Sequence, residues 1–206
     1  MKTYRALAAL LAYPEAALIE ALPEIRPQAP AEVLRLVKEL EEQDLLVSQE
    51  HYVSLFDRSR ALSLHLFEHV HGESRDRGQA MVDLQAAYLA RGMQVVAHEL
   101  PDYLPAFLEF LSLLPPGEAQ GFLKETASIL RALGDRLADR GSGYAGVFAA
   151  LLRLAGEPGL TRAPRERLDL GEDVLALDKA WMDPEVTFGP QPGVAPVRLY
   201  RNGVPQ

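Results

Sequence analysis

The chain has 206 residues, with 21 Lys plus Arg against 29 Asp plus Glu, a formal net charge of -8, and 48% hydrophobic residues. That length and composition fit one soluble globular domain, or at most two. With no cysteine, disulfides, thiolate metal sites and thiol catalysis are excluded, and the acidic balance argues against nucleic-acid backbones as partners.

Apolar residues recur at helical spacing up to about residue 156, and no segment alternates strictly as a half-buried strand would. The expected fold is all-α, a single-domain helical bundle. A first helix from about Thr3 stops before Pro14, because proline disfavours helical geometry in the residue before it. A second runs from about Ala31 to Val47, with Val33, Val37 and Leu40 on one face. Ser48 is a candidate N-cap for a third that continues, with or without a break near Asp57, to about Val70. From Ser74 to Arg91 a further helix buries Met81, Leu84 and Tyr88, and Gly92 suits a left-handed terminus.

Asp102 follows Pro101 and reads as the cap of the next helix, which carries Leu104, Phe107, Leu108, Leu111 and Leu114 until Pro115-Pro116. The longest amphipathic stretch comes next. Phe122, Thr126, Ile129, Leu133 and Leu137 mark its stripe, with Leu123 and Leu130 alongside, up to Gly141-Ser142-Gly143. A last strong helix spans about Tyr144 to Ala155. Residues 157–206 then hold 7 Pro and 5 Gly, so this Pro/Gly-rich tail is expected to be partly extended. One short helix near Asp173 to Trp181 is expected there, with Trp181, Phe188 and Tyr200 as residues that could pack back. The expected division is a helical core, 1–156, and a tail, 157–206. No apolar run reaches the roughly 20 residues that span a bilayer.

The densest chemical cluster is His65 to Gly78. His65 and His69, four apart on a helix, would share a face at a spacing two metal ligands can use. The same face carries Leu62 and Leu66, which favours a structural histidine instead, and no third ligand or His-Glu-x-x-His order is present. Between Gly72 and Gly78, Glu73, Ser74, Arg75, Asp76 and Arg77 read either as a solvated connection or as arginines locking the loop onto carboxylates. No phosphate loop or nucleophile elbow occurs. In the second cluster, Glu99 to Pro105, Tyr103 offers a large ring with a polar tip of the kind that lines peptide grooves.

The run from Leu66 through Phe67, Glu68, His69, Val70, His71, Gly72, Glu73, Ser74, Arg75, Asp76, Arg77 and Gly78 to Leu84 resembles the signature of the respiratory nitrate reductase assembly chaperones, the NarJ or delta-subunit family. Glu99 to Pro105 resembles a second motif of that family, Leu177-Asp178-Lys179-Ala180-Trp181 a C-terminal one, and Ser54 to Asp57 an element before the first. The resemblance spans roughly residues 4–188. It implies an all-helical, cytoplasmic, dedicated chaperone that binds the catalytic subunit of nitrate reductase, notably its N-terminal segment. It would hold that subunit for molybdenum cofactor insertion before membrane attachment.

In the wider group of redox-enzyme maturation chaperones a Glu-Pro-Asp-His element stands where this chain has Glu99-Leu100-Pro101-Asp102-Tyr103. The resemblance thus carries a peptide-site role onto Asp102, with Tyr103 in place of the histidine. The implied client-binding residues are Glu68, His71, Glu73, Arg75, Asp76, Arg77, Asp83, Glu99, Asp102 and Tyr103. No catalytic residue, no metal and no tightly bound cofactor is implied, and the expected state is a monomer or weak homodimer without membrane insertion. The alternative carried by His65, His69 and Glu73 is a His/carboxylate metal-binding protein or hydrolase.

Overall fold

In the computed structural model, which describes residues 2–58, 60–71, 75–95 and 99–162, every regular element is helical. For His71, Arg75 and Asp76 it describes the backbone alone. These residues all lie in the first of two compact units of the chain. The expected tail helix and the residues Trp181, Phe188 and Tyr200 fall outside them.

Among the described residues nine α-helices follow in chain order: α1 Lys2–Leu11, α2 Ala16–Ile25, α3 Leu34–Glu42, α4 Leu45–Phe56, α5 Glu68–His71, α6 Arg75–Ala90, α7 Leu104–Leu113, α8 Pro116–Asp139 and α9 Ala145–Ala155. Short 3-10 turns sit at Arg26–Gln28, Ala31–Val33 and Arg60–Leu62. α1 lies against α7, and α8 and α9 form a helical hairpin around the turn at Gly141, whose φ is 65°. Gly92 (φ 73°) and Gly156 (φ 75°) close α6 and α9 in the left-handed conformation.

The core runs continuously through α1, α3, α4, α7, α8 and α9. Leu7, Leu10 and Leu11 meet Leu104, Leu108 and Leu111, and Leu130, Leu133 and Leu137 meet Phe148, Leu151 and Leu152, all buried. On α8 the fully buried line is Ala119, Leu123, Leu130, Leu133, Leu137 and Ala138, while Phe122, Thr126 and Ile129 are only half-buried. Leu133 and Leu137 of the expected stripe, and Leu123 and Leu130 alongside it, are buried, whereas over its first half the burial face is rotated away from Phe122, Thr126 and Ile129; small residues let α9 approach closely. Gly134 is the tightest such point on α8: a Cβ there would lie 2.8 Å from Phe148 Cβ and overlap Leu160.

Two boundaries differ from expectation. The expected helix over residues 31–47 is divided at Gln43–Asp44, and Asp44 is the cap of α4, its Oδ1 accepting from the Leu46 N–H at 2.8 Å. Ser48 is not a cap; it is buried within α4 and its hydroxyl has no partner among the described residues. The helix also does not continue towards Val70. After the turn at Arg60–Leu62 the chain is non-helical over 63–65 and turns at 66–67 into α5; here Leu64 and Leu66 exchange backbone hydrogen bonds with Leu104 and Asp102: Leu104 N–H to Leu64 O at 2.8 Å and Leu66 N–H to Asp102 O at 3.0 Å. That pairing makes the antiparallel bridge of His65 with Tyr103.

Gly121, exposed on α8, has nothing within 4 Å of a Cβ. Gly121→Ala is expected to raise the unfolding free energy by about 0.5–1 kcal/mol, since it restricts the unfolded chain and adds helix propensity at no steric cost. Urea denaturation checks this, and no gain would mean that α8 is not helical at that point.

Candidate functional site

The site begins at Asp102. This carboxylate is 0% exposed, and it does not cap α7, whose N-cap residue is Tyr103 with no side-chain capping bond. Instead Oδ2 accepts from the Phe67 N–H at 3.0 Å and Oδ1 stands 3.2 Å from His65 Nδ1, which donates to it. Burying a carboxylate is tolerated when its oxygens are filled in this way. Tyr88 reinforces the corner by donating to the Pro101 carbonyl at 2.7 Å. Asp102 thus fastens the 63–67 segment to the head of α7.

The segment so fastened is one wall of a cleft of ≈ 300 Å³. Ser63, Leu64 and His65 form that wall; Tyr13, Tyr52, Phe56 and Tyr103 contribute rings, and Asp57 and Glu99 contribute exposed carboxylates. The rings support one another: Tyr13 stands edge-on to Tyr52 at 5.6 Å, and Tyr52 lies 4.8 Å from Phe56. The His65 imidazole lies 5.5 Å from the Tyr103 ring.

Hydroxyl polarity in the cleft is fixed by a chain of bonds. Tyr52 donates its one hydrogen to the Leu11 carbonyl at 2.9 Å, so in the 3.3 Å contact between the two hydroxyls Tyr103 is the donor. Burial pushes the pKa of both phenols up.

The His65 pKa is also raised, chiefly by its hydrogen bond to Asp102, against the opposing effect of burial; Glu68 adds to the rise and Arg77 subtracts from it. A raised native value means that the proton stabilises the fold. That contribution is complete below the ordinary histidine value of about 6.5 and disappears as pH rises through the native value. The stability difference between the parent and His65→Gln is therefore expected to be larger at pH 6 than at pH 9. Urea titrations at the two pH values check it; a difference that does not change with pH would contradict the His65–Asp102 pairing.

His65 and His69 do not share a helical face. His65 is in the bridge with Tyr103, and His69 Nε2 donates to the Ser63 carbonyl at 2.8 Å from the short helix α5. The geometry behind the paired-ligand reading is thus absent, and no group of three metal-ligating side chains occurs among the described residues.

Of the ten candidate residues, Glu99 and Tyr103 line the cleft and Asp102 stands directly behind its wall. Glu68 opens α5 and is 3.4 Å from Arg77 on α6, a pair that bridges the two helices beside His65. Asp83 is exposed on α6 and accepts from Gln79 at 2.8 Å; it is not among the lining residues. Glu73 lies outside the described residues, as do the side chains of His71, Arg75 and Asp76. Tyr13, Tyr52 and Phe56 were not among the candidates. The one local signal for them is the Tyr52/Phe56 pair at i, i+4, which reads equally well as core.

The described residues thus define an all-helical protein with an aromatic, acid-edged cleft at the junction of α4, the head of α7 and the 63–67 segment. The chain belongs to the nitrate reductase delta subunit family, which residues 10–150 match. It is similar to the nitrate reductase molybdenum cofactor assembly chaperone NarJ of Escherichia coli K12, 45% identical over 192 residues, covering 87% of this chain and 81% of that protein. The probable nitrate reductase molybdenum cofactor assembly chaperone NarW of the same strain is 42% identical over 195 residues, 91% of this chain and 84% of that protein. A probable NarJ of Bacillus subtilis 168 is 29% identical over 158 residues, 73% and 86% of the two chains. No helix among the described residues is long and apolar enough to cross a membrane.

Proposed function

We propose that this protein is a dedicated, non-catalytic assembly chaperone of the cytoplasm. It binds the apo catalytic subunit of respiratory nitrate reductase through that subunit's N-terminal segment and holds it for molybdenum cofactor insertion. The names of its relatives support the assembly role. The observation that carries the peptide-binding part is the aromatic cleft edged by Asp57 and Glu99, with a wall fixed by a buried clamp.

The energetics favour apolar capture. Micromolar binding needs about -8 kcal/mol, and exposed ion pairs contribute about 0.2–1 kcal/mol each. Burying about 400 Å² of apolar surface gives about 10 kcal/mol before ordering and association costs are subtracted. The rings of the cleft and the apolar surface around it supply affinity, and the carboxylates supply orientation and encounter rate. The client segment binds as an amphipathic helix whose anchoring side chains enter the cleft. Glu68 and Arg77 flank that contact; Glu73, His71, Arg75, Asp76 and Asp83, on the same stretch of chain, belong to the same proposed set of client-binding residues. The cofactor is cargo for the client and is not held tightly here; carboxylates at the cleft edge do not suit a phosphate-bearing anion.

Calorimetric titration of the full chain with a synthetic peptide of the catalytic subunit's N-terminus tests this function. Saturable binding in the micromolar range is expected. An absence of heat and of competition at tens of micromolar would contradict it.

A further inference from the structure

The cleft combines three features that one kind of side chain satisfies together. Its rings, Tyr13, Tyr52 and Tyr103, present faces and edges around a space with room for one or two side chains rather than a whole helix. Two carboxylates, Asp57 and Glu99, open onto it, and both act on one group, the Tyr103 phenol, whose pKa rises first through burial and then through these charges. Among the described residues the lining holds no lysine or arginine, and its titratable cation, His65, is matched by Asp102. Finally, the Tyr103 hydroxyl spends its hydrogen on Tyr52, which spends its own on Leu11, so the Tyr103 oxygen keeps its lone pairs for a donor.

We propose that this cleft is an arginine-anchor subsite: it takes a single guanidinium side chain of the bound segment, laid against the tyrosine rings, with Asp57, Glu99 and the Tyr103 oxygen accepting its N–H groups. The inference rests on the cleft being the client-binding site. An apolar anchor would cover two carboxylates without giving them donors, at a desolvation cost. A quaternary ammonium would satisfy the rings but has no N–H for the oxygens. Lysine supplies charge as a compact point, whereas the planar guanidinium stacks on rings and donates in several directions at once.

The test uses amide NMR of the full chain titrated with N-acetyl-arginine N-methylamide and its lysine and citrulline counterparts; citrulline keeps the shape and loses the charge. The arginine probe is expected to give saturable shifts at Leu64, His65, Glu99 and Tyr103. Binding should be about tenfold weaker for citrulline, with lysine between the two. Glu99→Gln, a change at an exposed position, should erase most of the preference for arginine over citrulline. Equal affinities for the three probes, shifts that do not saturate, or shifts away from those residues would overturn the subsite. The client peptide separates the two levels of the argument. A peptide that binds in the micromolar range but is indifferent to arginine→citrulline replacement overturns the anchor and leaves the chaperone reading standing. A peptide that fails to bind overturns the chaperone reading, while the small probes still decide whether the cleft selects a guanidinium.

Discussion

Asp102→Ala is expected to lower the unfolding free energy by about 3 kcal/mol, because it removes the acceptor of a buried backbone N–H and of a histidine together. The Phe67 N–H and His65 Nδ1 both lose their partner on the 0%-exposed carboxylate, and the 63–67 segment is left tied to the head of α7 by its backbone bonds to Leu104 and Asp102. Since that segment is a wall of the cleft, affinity for the client peptide should fall as well, by about tenfold or more. Asp102→Asn separates shape from charge. Its side-chain oxygen still accepts from Phe67 and its amide donates to a neutral His65, so most of the stability should return while the stability gained by protonating His65 is lost. Urea denaturation and calorimetric titration of the two variants check this. An alanine variant with parental stability would contradict the clamp.

Gly146→Ala is expected to be the most damaging single-methyl addition in the α-helical body. Gly146 lies in the first turn of α9, where a Cβ would overlap the Glu32 carbonyl oxygen, lie 2.9 Å from its carbon and 3.4 Å from Val33 Cα. These are backbone atoms of the 3-10 turn before α3 and cannot rotate aside. Overpacking of this kind costs about 3 kcal/mol, against which the better helix propensity of alanine returns about 0.5–1 kcal/mol. A net loss of about 2 kcal/mol should appear as a lower urea midpoint with an unchanged slope. Gly143 is less critical, because the first atoms a Cβ would meet there are the end of the flexible Glu39 side chain, although Leu36 Cα follows at 3.2 Å.

Much of the helical body was legible in the sequence because its stripes are local. α7, α8 and α9 each carry apolar residues at helical spacing and end at proline or glycine, so their existence and order follow from periodicity alone. α2 was hidden: Pro14, Pro23, Pro27 and Pro30 crowd it, and Pro23 falls inside its last turn. The non-helical 63–67 segment was hidden for a different reason. Its residues carry a helical pattern, but their bonds go to Asp102 and Leu104, 35 or more positions away, and tertiary pairing overrode the local preference. The same long-range bond turned Asp102 from an expected cap into a clamp and moved His65 away from His69. Glu99 and Tyr103 were legible through a motif, whereas Tyr13, Tyr52 and Phe56 become a cleft only when α1, α4 and α7 are brought together.

The most direct measurement is photocrosslinking of the full chain to the full-length catalytic subunit. Tyr13→benzoylphenylalanine places the reactive group at an exposed ring of the cleft, and Leu89→benzoylphenylalanine places it at an exposed position on α6. Capture of the subunit's N-terminal segment from position 13, lost in the presence of excess N-terminal peptide, is the expected result. Capture of that segment from position 89 with none from position 13 would contradict the cleft as the place where the client is gripped.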